Sequence, residues 1–245
     1  MIHYHGGPIT PLSVAHAVWK RRHAFVSFEW PDQIAFAAEL CQSFAIDNGA
    51  FSVWQRGGAL DLKGYIAFVD EWKRHPGFDW CLIPDAIGGT ETDNARLTAE
   101  YRELGGDLSV SVPVWHMHES FDRLAYLCHA YPRVALGSSG EWAEVGTHSW
   151  WQRMGAAFDA ICDTDGRPPC KLHGLRMLNP TIFSQLPLAS ADSTNVAQNH
   201  GRERKRYALS AAMGALAIVD RIEEHASAPR WTRTFGTEMN LDLVG

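Results

Sequence analysis

Trp80-Cys81-Leu82-Ile83-Pro84-Asp85 is a short apolar run that ends at a proline and a carboxylate. Its length and continuity suit a strand buried on both faces, as in a parallel sheet. Just upstream, between Asp61 and His75, Tyr65, Phe68, Val69 and Trp72 fall at i, i+3, i+4 and i+7, the spacing of one helix face, and Pro76-Gly77 stops it. Just downstream, Thr90 or Thr92 stands where a side-chain oxygen caps a helix that runs to Gly105-Gly106. One strand set between two amphipathic helices is the unit from which α/β folds are built.

The unit recurs along the chain. Strands are predicted at Ile2 to His5, Ala24 to Phe28, Phe44 to Asp47, Trp80 to Pro84, Val112 to His116, Val134 to Gly137, Leu172 to Arg176 and Leu188 to Asp192. Ser120 or Asp122 opens a helix that ends before Pro132, and Thr147 or Ser149 one that ends before Asp165-Gly166. Asn179-Pro180 starts a short helix, with proline in its first turn. A last helix is expected from about Arg202 to Glu224, with Leu209, Met213, Leu216, Ala217 and Val219 as its apolar stripe. Eight strands alternating with helices predict an α/β fold, a single (β/α)8 TIM-like barrel over residues 1–245. A doubly wound open sheet has the same local periodicity. What favours the barrel is that the polar residues of interest fall at the C-terminal strand ends, where barrel enzymes assemble their sites.

Composition narrows the class. The chain has 245 residues, 46% apolar and 20% charged, enough for one sizeable core. Its apolar runs are too short to cross a membrane, and Met1-Ile2-His3-Tyr4-His5 does not read as a signal peptide. A cytoplasmic protein is expected. Five cysteines without a C-x-x-C spacing argue against a disulfide framework and a cysteine-rich zinc site. A net charge of -6 excludes a globally basic nucleic-acid binder and leaves room for a local basic patch. The run Arg202-Glu203-Arg204-Lys205-Arg206, with four cations against one Glu, is such a patch, and Lys20-Arg21-Arg22 is a weaker one. A run like this is ordinarily a solvated helix face. Its place after the Asp192 strand makes it a phosphate-contacting candidate.

Asp47, Asp85 and Asp192 each follow a predicted strand. One such Asp is usually a cap or a turn former. Three on one rim would repel, keeping one protonated beside another ionised, which supplies an acid and a nucleophile together. His116 and His118 sit two apart, as do His3 and His5, a spacing that puts each pair on one face of a strand. With His173 and Asp192 they could form the ligand set of a metal-dependent, amidohydrolase-like hydrolase, which is the alternative function. Gly137-Ser138-Ser139-Gly140 ends a strand with small residues, so backbone N–H groups there can approach a ligand closely. It matches neither a P-loop nor a nucleophile elbow.

The order of these motifs resembles a known family. Asp47-Asn48-Gly49-Ala50-Phe51 resembles the Asp-Ser-Gly-Gly-Phe segment of the tRNA-guanine transglycosylases, and Val134 to Glu141 is similar to their glycine-rich strand end. With Lys171-Leu172-His173-Gly174-Leu175-Arg176 and Pro187 to Ser193, the chain looks more like the shorter DpdA branch, which places 7-deazaguanine bases in DNA, chiefly in phages and bacterial genomic islands. The resemblance implies a base-exchange transglycosylase. In it Asp192 is the nucleophile and Asp47 the general acid and base. Asp85 reads the purine edge, Gly137 and Ser138 hold the base from the backbone, and His116 or His118 contacts it. His173 and Gly174 belong to the substrate site in the same reading, and Arg202, Arg204, Lys205 and Arg206 to the nucleic-acid surface. The tRNA-acting relatives carry a late cysteine cluster for zinc, whereas no cysteine follows Cys170 here. That departure puts DNA ahead of tRNA as substrate and implies neither cofactor nor metal. The expected partners are DNA, a free 7-deazaguanine such as preQ0 and, as in many relatives, a second copy of the chain. Trp54, Trp115 and Trp142 are the aromatic candidates for stacking on a base that has left the duplex.

Overall fold

The computed structural model describes residues 1–207 and 210–233, apart from the side chains of residues 204 and 207. Its strands are β1 (Ile2–Gly6), β2 (His23–Ser27), β3 (Ser43–Asp47), β4 (Phe78–Leu82), β5 (Ser111–Val112), β6 (Val114–His116), β7 (Arg133–Gly137), β8 (Lys171–Gly174) and β9 (Ser190–Ser193). All pair in parallel, in the order β5-β4-β3-β2-β1-β9-β8-β7-β6. The two ends of that order, β5 and β6, are halves of one stretch separated by Pro113. β5 pairs with β4 and β6 with β7, so the sheet comes round on itself as an α/β barrel of the TIM type. The open-sheet alternative is thereby excluded, and the strand expected at Val112 to His116 becomes two segments. Pro113 has no N–H to give to a ladder, although its carbonyl still accepts from Ala135 N at 2.9 Å.

Alternation along the strands fills both sides of the wall. Tyr4, Phe25, Ala45, Trp80, Leu82, Val112, Val114 and Ala135 pack together inside the barrel. Their neighbours Ala24, Phe44, Ile46, Cys81, Val134 and Leu172 belong to the larger core between barrel and helices. At the N-terminal end the interior is closed by a polar cluster. The Tyr4 hydroxyl donates to Asp79, Trp80 Nε1 donates to Tyr4 Oη at 3.2 Å, and the Arg133 guanidinium lies 5.2 Å from the Trp80 ring centre.

The helix starts follow from their caps. Asp61 accepts from Gly64 N at 2.9 Å, Thr90 and Asp93 form a capping box, and Ser120 and Thr147 accept from Arg123 N and Trp150 N. Asn179 precedes the short helix Pro180–Phe183. Two helices without such signals, Leu12–Trp19 and Ile34–Leu40, follow β1 and β2. The single helix expected from Arg202 to Glu224 is instead two, Asn195–Tyr207 and Ala211–Glu223. Ser210 caps the second by accepting from Met213 N at 3.2 Å, and Leu209 lies outside the described residues. Among the described residues no helix is long and apolar enough to cross a membrane.

Candidate active site

The C-terminal strand ends bring Asp47, Asp85 and Asp192 to one mouth. Asp47 closes β3, and the carboxyl is held by the Gly49 N–H and the Ser27 hydroxyl. Burial, then the charges of Asp192 and Asp85, push its pKa up to about 7, against which those two hydrogen bonds work. Asp47 thus feels the charge of each of the other two carboxylates. The turn after Asp47 needs glycine: Gly49 has φ +77°, and a Cβ there would stand 2.5 Å from Glu29 Cγ.

Asp192 sits on β9 and is 6% exposed. Its Oδ1 accepts from Arg176 N at 3.0 Å and faces His173 Nε2 at 3.3 Å, while no hydrogen bond among the described residues engages Oδ2. His173 contacts Ser190 Oγ through Nδ1 at 2.9 Å, and its ring is packed against Trp80, 4.7 Å between centres. Burial lowers its pKa, with Asp192 only partly opposing, so the ring is neutral and Nε2–H donates to the carboxylate. His173 is 0% exposed. It therefore supports Asp192 from below.

Asp85 is fixed from two sides. Asn48 Nδ2 donates to Oδ1 at 2.8 Å, and His116 Nε2 lies 2.9 Å from Oδ2. Asn48 also holds Ile83 O and, through its own Oδ1, Ala50 N, which ties the ends of β3 and β4 together. Behind His116 lies a buried polar layer. Asn94 donates to Glu119 Oε1 at 3.0 Å, and Glu119 Oε2 accepts from His116 N at 2.9 Å. Burial works against a charged His116, yet the hydrogen bond and charge of Asp85, with the charge of Glu119, raise its pKa. Asn48, Asn94 and Glu119 were not singled out from the sequence. The only local signal was adjacency, Asn48 to Asp47 and Glu119 to the two histidines.

β6 stops at His116, and His118 belongs to the following turn rather than to the strand. The two rings still stack, 5.5 Å apart at 30°. His118 Nε2 donates to Gly89 O at 2.8 Å, which makes Nδ1 the acceptor of the Ser139 hydroxyl, also at 2.8 Å. Ser138 turns its hydroxyl toward Trp150 Nε1, which donates at 2.9 Å, and offers its carbonyl to the Arg176 guanidinium at 3.2 Å. A Cβ on Gly137 would meet Val114 Cγ1 at 3.2 Å and His116 Cδ2 at 3.6 Å, so the missing side chain makes room for β6. At Gly174 it would meet Leu188 and Met177 at 2.9 Å. That glycine faces the layer outside the barrel.

The hydrolase ligand set does not assemble. Tyr4 points into the barrel, and so its neighbours His3 and His5 point out. His3 lies against Phe183, and His5 Nε2 is 3.1 Å from Glu223 in the helix Ala211–Glu223. Neither can meet His116, His118 or His173, and no group of three or more His, Cys, Asp or Glu able to hold a metal occurs among the described residues. Of the tryptophans, Trp54 is 55% exposed at the mouth, Trp115 is wholly buried outside the barrel, and Trp142 is half-buried beside Arg153.

Arg202, Lys205 and Arg206 are exposed on the helix Asn195–Tyr207, whereas the Arg204 side chain lies outside the described residues. That helix leaves the mouth at its first residue, so at 1.5 Å per residue the run lies roughly 10–16 Å along the axis toward the opposite end. Lys20, Arg21 and Arg22 precede β2 and lie at the opposite end outright, where Arg22 binds Glu223 at 2.8 Å.

No family model and no curated protein matches the sequence. A similar solved structure is a mutant tryptophan synthase α-subunit from the hyperthermophile Pyrococcus furiosus. The match has a TM-score of 0.49 and 11% identity and covers 91% of this chain and 97% of that one.

Proposed function

We propose that the barrel is a base-exchange transglycosylase that replaces guanine in DNA with a 7-deazaguanine of the preQ0 type. The observation that carries this reading is the meeting of three carboxylates in one mouth, with Asp47 brought to about 7 by burial and by Asp192 and Asp85. A group of that pKa is both donor and acceptor of protons near neutrality. In the proposed reaction an Asp192 oxygen attacks C1′ of the target nucleotide from the face opposite the base. The C1′–N9 bond breaks, its electron pair leaves with guanine, and the protonated Asp47 supplies the proton. The resulting glycosyl ester holds the sugar. The incoming base gives its ring N–H proton to the Asp47 carboxylate, its nitrogen attacks C1′, and Asp192 departs. Protons balance over the cycle. Asp85, held by Asn48 and His116, is in this proposal the acceptor for N–H groups on the purine edge.

An assay of labelled guanine exchange into a guanine-containing oligonucleotide tests the reading, with Asp192→Asn as control. Exchange that depends on Asp192, with a covalent protein–DNA species of the expected mass in the wild type, supports it. Net release of free base without replacement, or exchange indifferent to Asp192, overturns it.

A further inference from the structure

Arg176 joins three parts of the mouth. Its backbone N–H holds the Asp192 carboxylate at 3.0 Å, its Nη2 donates to Ser138 O at 3.2 Å, and its guanidinium carbon stands 5.1 Å from the Phe51 ring centre. The backbone adopts φ +60°, a left-handed conformation that an arginine rarely takes. The side chain is nonetheless exposed, and a guanidinium has five N–H donors, so a single carbonyl and a ring face leave most of them unused.

Beside it stand two large apolar side chains with no core to fill. Phe51 is 41% and Trp54 is 55% exposed, with ring centres 5.9 Å apart at 36°. Both lie on the helix Ala50–Gln55, which starts directly after Asp47-Asn48-Gly49. Arg56, one residue beyond, is engaged by Glu29. An exposed cation bonded through its own backbone to the proposed nucleophile, next to two exposed rings, suits an anion that carries flat groups. A polynucleotide is that chemistry: guanidinium groups grip phosphate oxygens in a fork, and aromatic rings stack on bases of any sequence.

We infer that Arg176, Phe51 and Trp54 form a lip that holds an unstacked polynucleotide strand. The Arg176 guanidinium takes the phosphate next to the reacting sugar, and Phe51 and Trp54 take the face of a neighbouring base. The inference rests on the transglycosylase reading for its substrate. It differs from that reading in placing the strand here rather than along Arg202 to Arg206.

The test is fluorescence anisotropy of the full chain with a short fluorescein-labelled deoxyoligonucleotide containing guanine, over a series of salt concentrations. Arg176→Gly removes the guanidinium, keeps the N–H on Asp192 and suits the positive φ. It should lower the slope of log K against log salt by about 0.7, the share of one phosphate contact on a single strand. Arg176→Gln, which keeps donors without the charge, should lower it equally, and Arg176→Lys should keep it. The double change Phe51→Ala, Trp54→Ala should weaken binding about tenfold with the slope unchanged, because stacking releases no counterions. Wild-type slopes in both uncharged Arg176 variants, or wild-type affinity in the double variant, would overturn the lip. Failure of the transglycosylase reading looks different: the oligonucleotide binds with this Arg176 dependence and no base is exchanged.

Discussion

His116 Nε2 lies 2.9 Å from Asp85 Oδ2, joining the end of β6 to the turn after β4. The pair has a pH signature. Because the folded protein raises the pKa of His116 above its ordinary 6.5, the charged ring is stabilised in the native state. Its contribution to stability is whole below about pH 6.5 and is lost as pH rises through the higher folded value. His116→Asn should therefore flatten the fall in melting temperature as pH rises above about 6.5. Equal pH dependence in variant and wild type would remove the charged pair from the account.

Asp47 carries a second pH dependence. Its folded pKa of about 7 lies above the unfolded value, so folding favours the protonated acid. The associated stability is present below about pH 4 and is lost as pH rises through the folded value. Asp47→Asn, neutral at every pH, should melt at a higher temperature than wild type near pH 8 and lose that advantage near pH 4. The same variant should reduce exchange by about 10²- to 10⁴-fold, the usual worth of a general acid and base. Thermal melts and initial rates on one preparation check both halves.

Asp192→Asn keeps an oxygen for the Arg176 N–H and so should preserve the local structure. Its amide cannot form the glycosyl ester. Exchange should fall by well over tenfold, a barrier increase above about 1.4 kcal/mol. A residual rate above a tenth of wild type, measured with an unchanged circular dichroism spectrum, would assign the nucleophile elsewhere.

Gly174→Ala tests the packing outside the barrel. The added methyl group would stand 2.9 Å from Leu188 Cδ1 and from Met177 Cβ, and the Met177 backbone cannot yield as a flexible tip does. A cost of about 1–3 kcal/mol is expected from this overpacking, read as a lowered denaturation midpoint. An unchanged midpoint would show that the layer has slack at this point.

The basic run gives a contrasting prediction. Changing Arg202, Lys205 and Arg206 together to Ala should alter the salt slope of binding to the same single-stranded oligonucleotide by less than the roughly 0.7 of one phosphate contact. A drop of two or more would mean that the strand follows the helix Asn195–Tyr207 down the side of the barrel.

The barrel was legible in the sequence because the strands, and the helices that follow the later ones, announce themselves locally: an apolar run such as Trp80 to Ile83, then a cap such as Thr90, then a 3.6-residue stripe. Likewise, the three aspartates are legible because a carboxylate straight after a strand in this fold must lie at the mouth. Side-chain direction one residue away is less so. His3 and His5 share the two-residue spacing of His116 and His118, but the inward turn of Tyr4 sends the first pair outside, and only the closed wall fixes which way is in. The helix break at Ser210 was hidden because the apolar stripe runs on through it. Asn94 and Arg176 were missed for another reason. Their partners, His116 and Asp192, lie 22 and 16 residues away in sequence and meet them only once the barrel closes.

Among the described residues, the plug formed by Tyr4, Asp79, Trp80 and Arg133 fills the N-terminal end of the barrel and leaves the mouth with the three carboxylates as the doorway. For the proposed exchange this dictates kinetic order. The guanine set free when the sugar moves to Asp192 has no rear exit, so it must leave by the entrance before a 7-deazaguanine can take its place over the same carboxylates. Double-reciprocal plots against the two substrates should then be parallel, the pattern of a ping-pong reaction, and free guanine should compete directly with the incoming base.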